Sequence, residues 1–136
     1  SGGFTTGTPW SVFAPGQATA NVAAQTSDPT SLLSRYRNLI RARKGSQALT
    51  VGQGLEVLTP MYGFYQGLVF VRTHGSERVV VAHNLAGVPA GGTFALRAGS
   101  LQPLFIDPGA SASMNGPGSW TISLPAYGSA VWREQP

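Results

Sequence analysis

The sequence predicts a mainly β protein: an antiparallel Greek-key β-sandwich of about seven or eight strands, preceded by an irregular arm and one amphipathic helix. Three observations carry this. The 136 residues include 18 glycines and 10 prolines, a density that suits many turns between short strands. Beyond Gly45, Val- and Phe-rich runs alternate with Gly-, Pro- or Asn-rich separators. Only residues 27–45 combine a helical period with a start signal and a stop signal. A chain of this length makes about one domain with a substantial core.

The first 26 residues hold neither a helical nor a strand period. Gly, Thr, Pro and Ala dominate, yet Phe4, Trp10, Val12 and Phe13 are large and apolar. A free linker would leave such side chains in water, so the arm is expected to lie against a surface. In the helix, Asp28 reads as the N-cap and Pro29 as the first helical residue, where a missing N–H is harmless. Leu32, Leu33, Tyr36, Leu39 and Ile40 form one apolar stripe. Arg41, Arg43 and Lys44 complement the dipole of the last turn, and Gly45 suits a left-handed stop.

Strands are expected at residues 48–51, 55–58, 67–73, 78–85, 93–97, 101–106, 120–124 and 129–133. His74-Gly75-Ser76-Glu77 reads as a four-residue hairpin loop. No repeat of fixed period interrupts the series.

Charge is sparse, with nine basic and five acidic residues and a net charge of +4. Five of the basic residues lie on the helix and four are scattered beside acidic ones, and the one aromatic among the helical arginines, Tyr36, belongs to the apolar stripe, which argues against nucleic acid as a partner. The absence of cysteine excludes disulfides and thiolate metal sites and leaves cytoplasmic and secreted settings equally compatible. The longest apolar runs, such as 79–82, are far too short to cross a bilayer, so a soluble chain without a membrane partner is expected. Ser1-Gly2-Gly3 opens with no leader-like pattern.

Catalytic chemistry has little to build on. Asp28 and Asp107 read as cap and turn residues, and Glu56, Glu77 and Glu134 share no local motif. His74 falls at a hairpin tip, and His83 reads as a structural, hydrogen-bonded strand residue. Two separated histidines without a carboxylate cluster predict no metal site, and no glycine-rich phosphate loop or nucleophile elbow predicts a cofactor. Tyr62, Phe64 and Tyr65, crowded into a turn-like stretch, and Trp120 are the candidate sugar-stacking rings.

Four blocks carry a resemblance. They are Gly3-Phe4-Thr5-Thr6-Gly7-Thr8-Pro9-Trp10, Asn21-Val22-Ala23-Ala24-Gln25, Ser27-Asp28-Pro29-Thr30-Ser31-Leu32-Leu33 and Tyr36-Arg37-Asn38-Leu39-Ile40-Arg41-Ala42-Arg43-Lys44. Their order and spacing resemble the α-amylase family of glycoside hydrolases, and more narrowly its oligo-1,6-glucosidase and α-glucosidase branch. Downstream, Arg78-Val79-Val80-Val81-Ala82-His83-Asn84-Leu85 and Leu124-Pro125-Ala126-Tyr127-Gly128-Ser129-Ala130-Val131-Trp132 are similar to that family's C-terminal β-domain.

The resemblance implies that residues 1–45 end a catalytic (β/α)8 barrel, with a loop arm over 1–27 and the last barrel helix over 28–45. Residues 46–136 would then be the C-terminal β-sandwich. It implies a parent enzyme that performs retaining hydrolysis or transfer at α-glucosidic bonds through a carboxylate nucleophile and a carboxylic acid/base. The family's catalytic carboxylates lie on earlier barrel strands and match no position here, so the expected role is bracing the barrel without catalysis. Phe4 and Trp10 would lie near substrate at one edge of the cleft. Without the barrel, the uncovered apolar stripe predicts self-association. Two other readings stand beside this one. In the first, the sandwich binds α-glucan oligosaccharides through Tyr62, Phe64, Tyr65 and Trp120. In the second, an independent small hydrolase uses Glu56, His83 and Asp107.

Overall fold

Residues 5–136 are described by a computed structural model. Two compact units divide the chain, one ending at Arg37 and one spanning Asn38–Pro136.

The first unit is built from local hydrogen bonds. A short helix, α1 (Val22–Thr26), is capped by Asn21, whose side-chain oxygen accepts from Ala24 N at 2.9 Å. The next helix, α2 (Leu32–Lys44), starts three residues later than the Asp28 signal predicts. The Asp28 carboxylate instead accepts from Thr30 N at 2.8 Å and Thr30 Oγ1 at 2.7 Å, closing a turn on itself. Ser31 takes over as cap: its hydroxyl accepts from Ser34 N at 3.3 Å, and its carbonyl accepts the first helical bond from Arg35 N at 2.9 Å. Pro29 therefore lies outside the helix.

From Asn38 on, α2 belongs to the second unit, and its end also departs from expectation. Gly45 does not adopt the left-handed conformation. Its carbonyl accepts instead from Arg133 Nη2 at 3.0 Å, so a distant side chain does the work of a local C-cap. Ser46 then caps a four-residue helix, α3 (Gln47–Thr50), accepting from Leu49 N at 3.2 Å. Residues 48–50 are thus helical and Val51 caps them, where a strand was expected over 48–51. The cap, and a bond from Ala48 N to the Glu77 carboxylate at 2.8 Å, fix this turn as helix.

Nine strands follow among the described residues: β1 (Gly54–Val57), β2 (Tyr62–Gly63), β3 (Gly67–His74), β4 (Glu77–Asn84), β5 (Ala90–Ala95), β6 (Ser100–Ile106), β7 (Ser111–Gly116), β8 (Ser119–Leu124) and β9 (Ser129–Gln135). They make two antiparallel sheets, a first in the order β1-β3-β4-β9-β6 and a second in the order β2-β5-β8-β7. Strands distant in sequence lie side by side, as Greek-key connections require, and the mainly β sandwich is the architecture observed. The β3–β4 hairpin is tighter than expected. His74 pairs with Glu77, leaving a two-residue turn with Gly75 at φ 57°.

The main core lies between the sheets. Val69, Val71, Val80, Ala82, Ala130 and Trp132 from the first meet Phe94, Leu96, Trp120, Ile122 and Leu124 from the second. Alternation is clean on β8, where Trp120, Ile122 and Leu124 point inward between exposed-side Ser and Thr residues. By contrast, β4 is apolar on both faces. Val79 and Val81 enter a second cluster with Ala42, Ala48, Phe105 and Val131 on the outer face of the first sheet, under α3 and the end of α2. A bulge between Pro103 and Phe105 turns Leu104 and Phe105 toward that same cluster.

Candidate functional site

Each carboxylate in the described residues has a structural partner. Hydrogen bonds from the Thr30 hydroxyl and then its N–H hold the Asp28 carboxyl below its ordinary range. Asp107 is buried, and its Oδ2 accepts from Ser129 N at 2.7 Å. Arg78 joins Glu56, at 3.6 Å, to the buried Glu134. Burial pushes the Arg78 guanidinium down, but the bond and charge of Glu134 outweigh this and raise its pKa. Burial likewise pushes Glu77 up, yet bonds from Ala48 N, Arg133 and Ser46 hold its carboxyl below the usual glutamate range. Glu77 and Arg133 join β4, β9 and both helix ends. Their geometry is that of a clamp.

His83 Nδ1 lies 2.9 Å from Ser129 Oγ, and its ring centroid is 6.3 Å from that of Phe70. Glu56, His83 and Asp107 are thus occupied by different structural partners. Among the described residues no group of His, Asp and Glu could hold a metal ion, and no helix is long and apolar enough to cross a membrane.

The aromatic candidates separate. Phe64 and Trp120, each 5% exposed, are core residues and offer no open ring face. Phe64 packs edge-on against Phe94 at 5.6 Å, and Trp120 Nε1 donates to the Ala98 carbonyl at 3.2 Å. Tyr62 and Tyr65 are 78% and 86% exposed. Phe64 has φ 60°, and its ring is buried while those of Tyr62 and Tyr65 are exposed. In the first unit Trp10 is wholly exposed, and Phe4 lies outside the described residues.

Sequence reasoning passed over two surfaces. One is the exposed ring of Tyr127 at the loop between β8 and β9. The other is an apolar groove of about 560 Å³ on the outer face of the first sheet, walled by Leu39, Leu49, Leu55, Val57, Leu68 and Phe70, with Arg43 and Arg72 at its rim. Leu55 and Val57 alternate with Glu56, so their shared face was legible in β1. That this face stays open was not.

No family model matches the chain. A probable α-glucosidase of Rhizobium meliloti (strain 1021) is 34% identical over 103 residues, covering 76% of this chain and 18% of the relative. The oligo-1,6-glucosidase of Heyndrickxia coagulans is 36% identical over 84 residues, 62% of this chain and 15% of the relative. An inactive MutB double mutant solved with isomaltulose superposes over 98% of this chain and 23% of its own, with TM-score 0.74 and 27% identity. The chain corresponds to the C-terminal part of an α-amylase-family glycoside hydrolase. The structure of the α-amylase from H. orenii, 24% identical with TM-score 0.67 over 85% of the chain, shares the fold. This α-amylase-family chain thus spans less than a fifth of the curated relatives' length. Its β-rich body is the C-terminal domain of that family.

Proposed function

We propose that the chain is the bracing part of an α-glucosidase-type enzyme, holding a catalytic (β/α)8 barrel and performing no hydrolysis itself. Residues 1–45 end the barrel, and residues 46–136 form the sandwich behind it. The observation that carries this is the groove beside the end of α2. Leu55, Val57 and Leu68 are exposed there, next to a buried cluster on the same sheet face. An apolar surface continuous with a core suits the side of another packed layer. The curated relatives hold more than four-fifths of their length outside the matched region, enough for such a barrel. The carboxylates support the same reading, since each is held in a turn, cap or ion pair.

The test is co-expression of the chain with the barrel part of an oligo-1,6-glucosidase that lacks its own C-terminal region, assayed on a chromogenic α-glucoside. Hydrolysis is expected only with both pieces, and Leu55→Asp with Val57→Asp should abolish it while the sandwich stays folded. The same pair should also dissolve any self-association of the chain alone. Turnover by the isolated chain, or complementation indifferent to these charges, overturns the reading.

A further inference from the structure

At one end of the sandwich the loops are tied to one another by hydrogen bonds and hold no charged residue. Leu85 N donates to the Gln66 carbonyl at 3.0 Å, and Tyr127 N donates to the Ala86 carbonyl at 2.9 Å, tying three loops together. Asn84, 2% exposed, locks them from beneath. Its Nδ2 donates to the Val88 carbonyl at 2.7 Å and to the Pro125 carbonyl at 2.9 Å, and its Oδ1 accepts from Ala86 N at 3.0 Å.

This frame presents rings outward. Tyr65 is 86% exposed and Tyr127 66%, with Leu85 and Val88 also exposed between their loops. The Tyr127 ring backs onto Gly87, where a Cβ would stand 3.0 Å from its hydroxyl oxygen and 3.4 Å from Cζ. Phe64 (φ 60°) and Tyr127 (φ 53°) are the non-glycine residues with positive φ among the described residues, and both lie at this end. Left-handed backbone at a bulky aromatic is strained, and such strain persists where the surrounding structure over-determines it.

The ligand follows from the chemistry. No charged residue occurs over 57–71, 84–96 or 108–132, the segments that build and flank these loops. Phosphates, nucleic acids and acidic peptides would find no counter-charge there. Flat amphipathic rings on a rigid, neutral frame offer an apolar face with hydroxyl and amide groups alongside, here Gln66 and the phenols, which matches a pyranose ring. We infer that this loop end binds a neutral α-linked glucose oligosaccharide, with Tyr65 and Tyr127 as stacking platforms. The α-linkage rests on the glucosidase reading above; the neutral sugar rests on the rings and the missing charge. Pre-ordering by Asn84 lowers the entropy lost on binding.

The test is a titration of the full chain with maltoheptaose, followed by amide chemical shifts, with cellohexaose as the β-linked comparison. Saturable shifts are expected at loops 62–67, 85–88 and 125–128. Tyr65→Ala and Tyr127→Gly should each weaken binding about tenfold. Glycine suits the left-handed position, so Tyr127→Gly removes the ring without disturbing the backbone, and an unchanged urea midpoint verifies this. No saturation at about 10 mM sugar, shifts confined to the groove, equal binding of cellohexaose, or variants that bind as the parent chain does would each overturn the inference. Barrel complementation needs none of these residues, so its failure and a failure here are read separately.

Discussion

Arg133 reaches two elements from one guanidinium: Nε donates to Glu77 Oε1 at 3.0 Å, and Nη2 donates to the Gly45 carbonyl at 3.0 Å. The other carboxylate oxygen of Glu77 accepts from Ala48 N at 2.8 Å. The end of α2 and the start of α3 are thereby fixed to β4 and β9. Glu77→Gln should destabilise the second unit by about 1–3 kcal/mol at neutral pH, measured by urea denaturation. The pH dependence has a definite sign. The folded-state carboxyl lies below its ordinary value of 4.5, so its contribution is complete above that value and fades as pH falls through the lowered one. Stability of the parent chain should drop in that acid window, and the Glu77→Gln variant should show a shallower drop.

Asn84→Ala should cost about 1–3 kcal/mol, because it removes at once the side-chain partner of the Val88 and Pro125 carbonyls and of the Ala86 N–H. Amide exchange should quicken at Ala86, whose N–H bonds to Asn84 Oδ1. Unchanged exchange there would mean that the loops order themselves without this side chain.

Two glycines should respond in opposite directions. A Cβ at Gly92 would lie 2.7 Å from Phe64 Cβ and 2.8 Å from the Tyr62 carbonyl oxygen, so Gly92→Ala should destabilise by about 1–3 kcal/mol. At Gly116 a Cβ meets nothing within 4 Å, and φ is not positive. Gly116→Ala should gain about 0.4–1 kcal/mol by restricting the unfolded chain. Urea midpoints of the two variants, run side by side, check both signs.

Ile122 is fully buried between the sheets, and Ile122→Ala should lose about 2–5 kcal/mol. Trp10 is fully exposed, and Trp10→Ala should shift stability by no more than about 0.5 kcal/mol. A large loss at Trp10 would place that ring in a packed contact and contradict its exposure.

Apolar patterning made the β strands legible. β3, β4, β8 and β9 all fall within about two residues of their sequence positions, because Val, Phe, Trp and Ile declare a buried face locally. Strand β7 was passed over: in Ser111-Ala112-Ser113-Met114-Asn115-Gly116 the alternation rests on Ala112 and Met114 alone, with no β-branched or aromatic residue, and the strand forms by completing the free ladder of β8. Helix α3 was misread because four residues are too few to show a helical period, and its cap on Ser46 and its bond to Glu77 come from outside it. At the aromatic stretch, ring identity was legible but direction was not. Phe64 is buried there while Tyr62 and Tyr65 are exposed.

The sequence by itself determined the class, a mainly β sandwich behind one amphipathic helix, and the family of its relatives, because both are written in local periodicity and ordered blocks. Tertiary structure alone decided which carboxylates are clamps, where α2 stops, and which face of the first sheet stays open. Those outcomes depend on partners dozens of residues away, such as Arg133 on Gly45 and Glu77 on Ala48. A hydrogen bond closed across a fold leaves no mark in the spacing of the residues that make it.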